Sequence, residues 1–139
     1  ILGGSVDNKL MRLIREENSL AYYIRSNISK ADQLMFINSG IDSKNFEKVV
    51  QLMNLVLDDI KNGNITEQEI MKGKLDYISS FDVAMETSNG YIDIILGQIL
   101  FMAHDVETRK KEIMKVTKED IMKLSQKIKI DTIYLLKAA

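Results

Sequence analysis

The chain has 139 residues, of which 45% are hydrophobic and 28% charged, a composition typical of a folded globular protein rather than a disordered or membrane-embedded one. Its 19 basic and 20 acidic residues leave a formal net charge of -1, which argues against a nucleic-acid binder that depends on many phosphate contacts. Cysteine is absent, so disulfides and cysteine-ligated metal sites are excluded.

This length predicts a single domain over residues 1–139. No uncharged apolar run approaches the roughly 18 residues of a membrane helix, so no membrane partner is expected. Nothing in the composition points outside the cell, and we expect a cytoplasmic protein. Because the chain opens on Ile1-Leu2-Gly3-Gly4 without an initiating methionine, we interpret it as a fragment of a longer protein.

The first predicted element is an amphipathic helix over residues 7–17, capped by Ser5 or Asp7. Its apolar positions recur at spacings of three and four residues and are Leu10, Leu13 and Ile14. From Leu20 the pattern changes to two-residue alternation, which predicts a strand. One face of that strand carries Leu20, Tyr22, Ile24 and Ile28.

A second strand is predicted over residues 33–39, after a short polar connection at residues 30–32, and the two strands form a hairpin. A strongly periodic helix follows, because the next apolar residues fall on one helical stripe. They are Phe46, Val49, Val50, Met53, Val56, Leu57 and Ile60. Gly63 occupies the position of a glycine just past a helix C-terminus.

Thr66 and Glu69 form a capping box that begins another helix. The pattern leaves open whether residues 67–103 form one bent helix or two. In the second case Ser88 is the expected cap, and the inward residues are Tyr91, Ile94, Ile95 and Ile99. A charged helix is predicted over residues 106–115, and Thr117 begins one that buries Ile121, Leu124 and Ile128.

Residues 132–137 (TIYLLK) are β-branched and aromatic enough to predict a closing strand. The predicted order of elements therefore indicates an α+β fold. We expect a two-layer sandwich, in which an antiparallel sheet made of the hairpin and the closing C-terminal strand is covered on one face by several helices. If strands preceding Ile1 are missing, a sheet edge is uncovered, and we expect a homo-oligomer formed through that edge.

Several short motifs occur in order along nearly the whole chain. They are Leu2-Gly3-Gly4, Asn8-Lys9-Leu10-Met11, Arg15-Glu16-Glu17, Leu20-Ala21-Tyr22, residues 62–70 and residues 116–121. Together they resemble the C-terminal-half signature of the pitrilysin/insulinase (inverted-zincin) family of zinc metallopeptidases. The motif sequences are most similar to those of bacterial members. Three positions depart from that signature: Asn8 stands where Ser is usual, Met11 where Phe is common, and Ser19 where Gly often precedes Leu-Ala-Tyr.

The resemblance implies that zinc is bound in an N-terminal half of the parent or in a partner, by an H-x-x-E-H helix and a distant Glu. The C-terminal half presents an Arg and a Tyr, which by matched position are Arg15 and Tyr22. Arg15 is expected to bind backbone carbonyls of an extended peptide. Tyr22 is expected to be catalytic in the parent, donating a hydrogen bond to the scissile carbonyl oxygen as it becomes an oxyanion.

This chain has one histidine, His104, and no H-x-x-E-H, so no metal site is expected in it. His104 is interpreted as a surface or capping residue. From the residues alone, Arg15 is a candidate for a salt bridge with Glu16, Glu17 or a neighbouring helix, and Tyr22 for a core position. Only the resemblance favours the functional interpretation of both.

Two functions stay open. The first is the substrate-binding, non-zinc half of a pitrilysin-like metallopeptidase, whose partner is the N-terminal zinc-binding half and whose ligand is a peptide. The second is a noncatalytic partner subunit of the same fold that acts in assembly or substrate capture. The fragment alone is expected to be inactive, and the parent is expected to be a zinc metalloendopeptidase or its inactive homologue.

Overall fold

The computed structural model of the chain describes residues 1–5, 7–29 and 31–137. They form two compact units: Ile1–Ile65 with the segment from Glu119 onward, and Thr66–Lys118. A two-stranded antiparallel sheet and several helices make up the described residues, so the α+β class is confirmed. The single domain over residues 1–139 stays a prediction.

The N-terminal helix begins after Asn8, whose side-chain oxygen accepts a hydrogen bond from the backbone N–H of Met11 at 2.9 Å. Asn8 is buried and also donates to the carbonyl of Ser5. Asn8 is therefore the cap, and the prediction of Ser5 or Asp7 is wrong. Since Asn and Ser both accept hydrogen bonds from the first helical turn, Asn8 can replace the serine of the family signature.

Met11–Glu17 forms a π-helix rather than the expected α-helix. Its wider turns change which side chains face inward, because each hydrogen bond spans five residues instead of four. Leu10, Met11 and Ile14 are buried, while Leu13 is only half-buried. π-Helical turns are rare in proteins, and those that occur are often at functional sites. This one carries Arg15.

The strands β1, Ala21–Ser29, and β2, Leu34–Ile41, form the expected antiparallel hairpin, although Lys30 of the predicted connection lies outside the described residues. Ile24 is 0% exposed, whereas Ile28, four residues further along β1, is 73% exposed. Since β1 contacts the N-terminal helix, that helix buries the part of the strand nearest to it.

Gly3 lies directly against β1. The backbone N–H of Ser26 donates to the carbonyl of Gly3 at 2.9 Å, and a Cβ atom at Gly3 would lie 2.9 Å from the same nitrogen. A side chain at this position would therefore push the N-terminal segment away from the strand. The close approach explains why the Leu2-Gly3-Gly4 motif needs glycine at its second position.

A 3-10 turn, Ser43–Asn45, leads from β2 into α1, Phe46–Lys61. The predicted stripe is confirmed, and its fully buried members are Val49, Val56, Leu57 and Ile60. α1 also contacts the N-terminal helix, so this helix is packed against both β1 and α1 in the core of the first unit. Gly63 has a φ of 77°, the left-handed conformation that favours glycine after a helix, as predicted.

The second unit contains α2, Glu67–Met85, α3, Ser88–Phe101, and α4, Val106–Lys115. The predicted capping box is confirmed, because Glu69 N–H donates to Thr66 Oγ1 at 3.1 Å and Thr66 N–H donates to Glu69 Oε2 at 2.9 Å. The segment after it is two helices, not one. The cap of α3 is Thr87 rather than Ser88, since Thr87 Oγ1 accepts from Gly90 N–H at 3.1 Å.

α3 is apolar on opposite sides. Ile94 is buried, whereas Ile92, Leu96 and Ile99 follow one another at spacings of four and three residues and are exposed. The prediction that Tyr91 and Ile99 point inward is wrong, because a helix that is apolar all round does not define a single inner face. Within the described ranges, none of the helices combines the length and apolarity needed to span a bilayer.

The predicted closing strand is absent from the described residues: residues 132–137 do not pair with the sheet, and Tyr134 and Leu136 are exposed. β-Propensity reflects how well a side chain packs on a pleated surface, so a β-rich segment without a strand beside it remains irregular. The helix α5, Lys118–Ser125, also differs from expectation, because Leu124 is exposed rather than buried.

Candidate functional site

A tight helix-to-strand corner joins Arg15 to Tyr22. The backbone N–H of Ser19 donates to the carbonyl of Arg15 at 3.0 Å, and that of Leu20 donates to the carbonyl of Ile14 at 2.9 Å. These bonds tie the start of β1 to the last turn of the helix. The backbone segments that carry Arg15 and Tyr22 are therefore held together by the corner itself.

Ser19 has a φ of 52°, in the left-handed region. That conformation costs an L-residue roughly 1 kcal/mol, whereas glycine adopts it freely. The corner thus explains why glycine is common in the family signature at the position that precedes Leu-Ala-Tyr. The serine of this chain keeps the same corner at the expense of some backbone strain.

We expect Ser19→Gly to raise the free energy of unfolding by about 0.5 to 1 kcal/mol, because glycine adopts the left-handed conformation without strain. Glycine also gives the unfolded chain more conformational entropy, which cancels only part of this gain. Urea denaturation followed by circular dichroism measures the change. Ser29→Gly, in the extended backbone of β1, is the control and should lower stability. A Ser19→Gly protein no more stable than the wild type would contradict the prediction.

Arg15 is exposed at the surface of the N-terminal helix. Its Nη1 atom lies 3.7 Å from the sulfur of Met11, which is a weak acceptor. The salt bridge with Glu16 or Glu17 that the residues alone suggest is not formed among the described residues. The guanidinium therefore keeps most of its donors directed at solvent, where a ligand can reach them.

Tyr22 is 82% exposed, so the core position suggested by alternation is wrong. The reason is a β-bulge: the register pairs Ala21 with Ile41 and Tyr23 with Gly40, which leaves Tyr22 as the extra residue of β1. A bulge reverses the side-chain alternation at that point and re-aims a side chain, and bulges are frequent beside active sites.

Tyr23 has a different environment from Tyr22. A Cβ atom added to Gly40 would lie 2.6 Å from the Tyr23 ring, so the ring lies across this glycine on the neighbouring strand. Its backbone carbonyl accepts a hydrogen bond from Ser39 Oγ at 2.9 Å. Tyr23 thus packs partly on the hairpin, and Tyr22 is the more exposed of the two adjacent tyrosines.

A charged pair that sequence reasoning missed lies just after Ile41, the β2 residue that pairs with Ala21. Lys44 Nζ is 2.9 Å from Asp42 Oδ2, and Asp42 Oδ1 accepts the Lys44 backbone N–H at 3.3 Å. The hydrogen bond from Lys44 holds the pKa of the Asp42 carboxyl below its usual value. The same bond, charge attraction to Asp42 and a smaller electrostatic interaction with Tyr22 hold the pKa of Lys44 above its usual value.

His104 does not belong to a metal site. Its Nδ1 atom lies 3.5 Å from Glu112 Oε1, and both side chains are largely exposed. A catalytic zinc usually takes three protein ligands, and the described part of the chain contains no group of three or more His, Cys, Asp or Glu residues that could hold a metal ion. The described residues therefore do not fit zinc.

Known proteins similar to this chain are metalloprotease-like and bacterial. The chain is 35% identical over 138 residues to the probable inactive metalloprotease YmfF of Bacillus subtilis (strain 168), a match that covers 99% of this chain and 32% of YmfF. It is 24% identical over 106 residues to the uncharacterized zinc protease YmxG of the same strain, covering 70% of this chain and 26% of YmxG. The chain spans about a third or less of these relatives.

Solved structures share the fold. A conserved protein from Enterococcus faecalis V583 superposes with a TM-score of 0.80 at 28% identity, over 89% of this chain and 30% of that one. A protease from Helicobacter pylori superposes with a TM-score of 0.74 at 19% identity, over 90% of this chain and 31% of that one, which shows similarity of fold.

The family resemblance expected from the short motifs is confirmed. The family model described as the Peptidase M16 inactive domain matches residues 1–75, more than half of the chain. That range contains the corner with Arg15 and Tyr22, the hairpin, α1 and the start of α2. The chain therefore belongs to the Peptidase M16 inactive domain family.

Proposed function

We propose that this chain is the substrate-binding, non-zinc half of a pitrilysin-like metallopeptidase, and that it positions an extended peptide and its scissile carbonyl. The observation that supports this most directly is the exposure of the Tyr22 phenol at a bulge in β1. Bulges re-aim side chains and are frequent next to active sites, so a bulge that presents this phenol to solvent favours a role in binding.

The chemistry of the two side chains suits a peptide. The Tyr22 hydroxyl is a donor that can bind the oxygen of the scissile carbonyl and bind it more strongly as negative charge develops there. The planar guanidinium of Arg15 carries several donors and can bind successive carbonyl oxygens of an extended backbone. In this proposal Arg15 binds and orients the peptide, while Tyr22 stabilises the reacting group.

Zinc is expected in the N-terminal half of the parent or in a partner subunit, since the described residues of this chain do not fit it. That half supplies the metal chemistry, and the chain alone is inactive. A cytoplasmic location and self-association are further parts of the proposal. The described sheet has two strands, so the outer edge of β2 has no neighbouring strand there and can pair with another copy.

The second candidate is a noncatalytic partner subunit of the same fold, used in assembly or substrate capture. It is favoured by the 35% identity to a protein described as a probable inactive metalloprotease, above the 24% identity to one described as a zinc protease. The full-length sequence distinguishes the two. An intact H-x-x-E-H in the parent favours the peptidase, and a degraded one favours the noncatalytic partner.

Peptide binding by Arg15 tests the proposal without requiring catalysis. We expect Arg15→Ala to weaken the affinity for fluorescently labelled extended peptides about ten-fold, the effect of losing a hydrogen bond from a charged donor. Fluorescence anisotropy measures the dissociation constants. The control is Arg12→Ala, because Arg12 lies on the same helix and is directed at Asp7, 4.0 Å away.

Two outcomes would contradict the proposal. If the wild-type protein binds none of the peptides, the chain is not a substrate-binding half. If Arg12→Ala and Arg15→Ala weaken binding equally, the effect reflects the net charge of the helix rather than a specific contact of Arg15.

A further inference from the structure

The end of β2 is placed beside Tyr22 by the strand register. Ile41, the last residue of β2, pairs with Ala21, which directly precedes the bulge. The chain then leaves the sheet through Asp42 and the 3-10 turn Ser43–Asn45. The turn that carries Lys44 therefore begins at the same end of the hairpin as Tyr22, although Lys44 is more than twenty positions away in the sequence.

Lys44 is held in a defined position in that turn. Asp42 contacts it twice, through the ammonium at 2.9 Å and through the backbone N–H at 3.3 Å. The backbone N–H of Asn45 also donates to the carbonyl of Asp42 at 2.9 Å, which closes the turn. Asp42 thus fixes the lysine backbone and directs the side chain at the same time.

The ammonium of Lys44 remains available to a ligand. Its side chain is 78% exposed, and an ammonium has three donors, of which one is sufficient for the contact with Asp42. Exposed ion pairs contribute little to stability, so the pair is poorly explained as a device for holding the fold. A positioned cation and an exposed phenol at the same end of the hairpin are better explained as parts of one binding surface.

We propose that Lys44, oriented by Asp42, binds an acidic side chain of the peptide close to the carbonyl group that Tyr22 holds. This inference rests on the proposed function and specifies its substrate class: peptides with Asp or Glu next to the bond presented to Tyr22. Lys44 is a specificity residue in this arrangement, and Asp42 is a positioning residue that acts through it.

The test compares three labelled peptides that differ at one position beside the central peptide bond, which is occupied by Glu, Gln or Lys. We expect the wild-type protein to bind the Glu peptide about two- to five-fold more tightly than the Gln peptide, the range for one solvent-exposed ion pair. Lys44→Gln should abolish this preference, and Lys44→Glu should reverse it in favour of the Lys peptide. Higher ionic strength should reduce the preference in the wild type.

Lys61→Gln is the matched control. Lys61 also lies beside an aspartate, with Nζ 3.5 Å from Asp58 Oδ1, but it is at the opposite end of α1. A helix of that length spans about 24 Å, so the control removes the same charge far from Tyr22. The Glu preference should be unchanged in this variant.

The outcomes separate this inference from the proposed function. Equal binding of all three peptides by the wild type, or a preference that survives Lys44→Gln, would overturn the role of Lys44 and leave peptide binding intact. An equal loss of preference in Lys61→Gln would also overturn it, because net charge would then be the cause. Failure of the wild type to bind any peptide would instead overturn the proposed function, and this inference with it.

Discussion

In the peptidase proposed above, replacing Tyr22 with phenylalanine is expected to lower turnover by about 10²-fold, the scale for losing one hydrogen-bond donor to an oxyanion. The change removes a single oxygen atom. Because Tyr22 is 82% exposed and is the extra residue of a bulge, the fold does not depend on its hydroxyl. The loss should therefore appear in kcat with little change in KM, as for a contact made mainly in the transition state.

The measurement is steady-state peptide hydrolysis by the chain together with the proposed zinc-binding half, with thermal unfolding of each variant as a check on folding. Tyr23→Phe is the matched control, because it removes the same atom from the next residue of β1, whose ring lies across Gly40. Its turnover should equal that of the wild type. Equal turnover in all three proteins would remove Tyr22 from the mechanism.

Ile24→Ala is expected to lower the free energy of unfolding by about 3 kcal/mol, since truncation of a fully buried isoleucine removes its transfer free energy and leaves a cavity. Ile24 is 0% exposed and lies on the strand that contacts the N-terminal helix. The same packing supports the corner that carries Arg15 and Tyr22. A cavity at this point should therefore loosen the candidate site as well as the fold.

Ile28→Ala provides an unusually close comparison, because it makes the same chemical change on the same strand at a side chain that is 73% exposed. This substitution should lower the free energy of unfolding by less than about 1 kcal/mol, since most surface substitutions change it by no more than about 0.5 kcal/mol. Chemical denaturation of both variants measures the difference. Similar losses of stability in the two would show that Ile24 does not pack in the core described here.

Elements defined by local interactions were predictable from the sequence. The capping box of Thr66 and Glu69, the apolar stripe of α1 and the glycine at position 63 each involve residues within one or two helical turns of each other. The closing strand was not predictable in the same way. A strand requires a neighbouring strand, and a β-rich composition such as that of residues 132–137 carries no information about whether one is present.

The candidate site was only partly predictable. Arg15 and Tyr22 were named from the family signature, whereas counting alternate residues back from Ile24 placed Tyr22 in the core, because such counting cannot detect an inserted residue. The position of the turn that carries Lys44, at the same end of the hairpin as Tyr22, depends on the pairing of two strands, which no local pattern encodes. The contact of Asp42 with the side chain of Lys44 was not predictable from the sequence either.

The outward direction of Tyr22 depends on the number of residues in β1, not on which residues they are. Deleting Ala21 would restore an uninterrupted ladder, in which Tyr22 pairs with Ile41 and lies on the same face of the strand as Ile24. Insertions and deletions at this point therefore alter the site more than most substitutions do. A change of length by one residue at the start of β1 offers a way to switch the phenol between solvent and interior without substituting any other side chain.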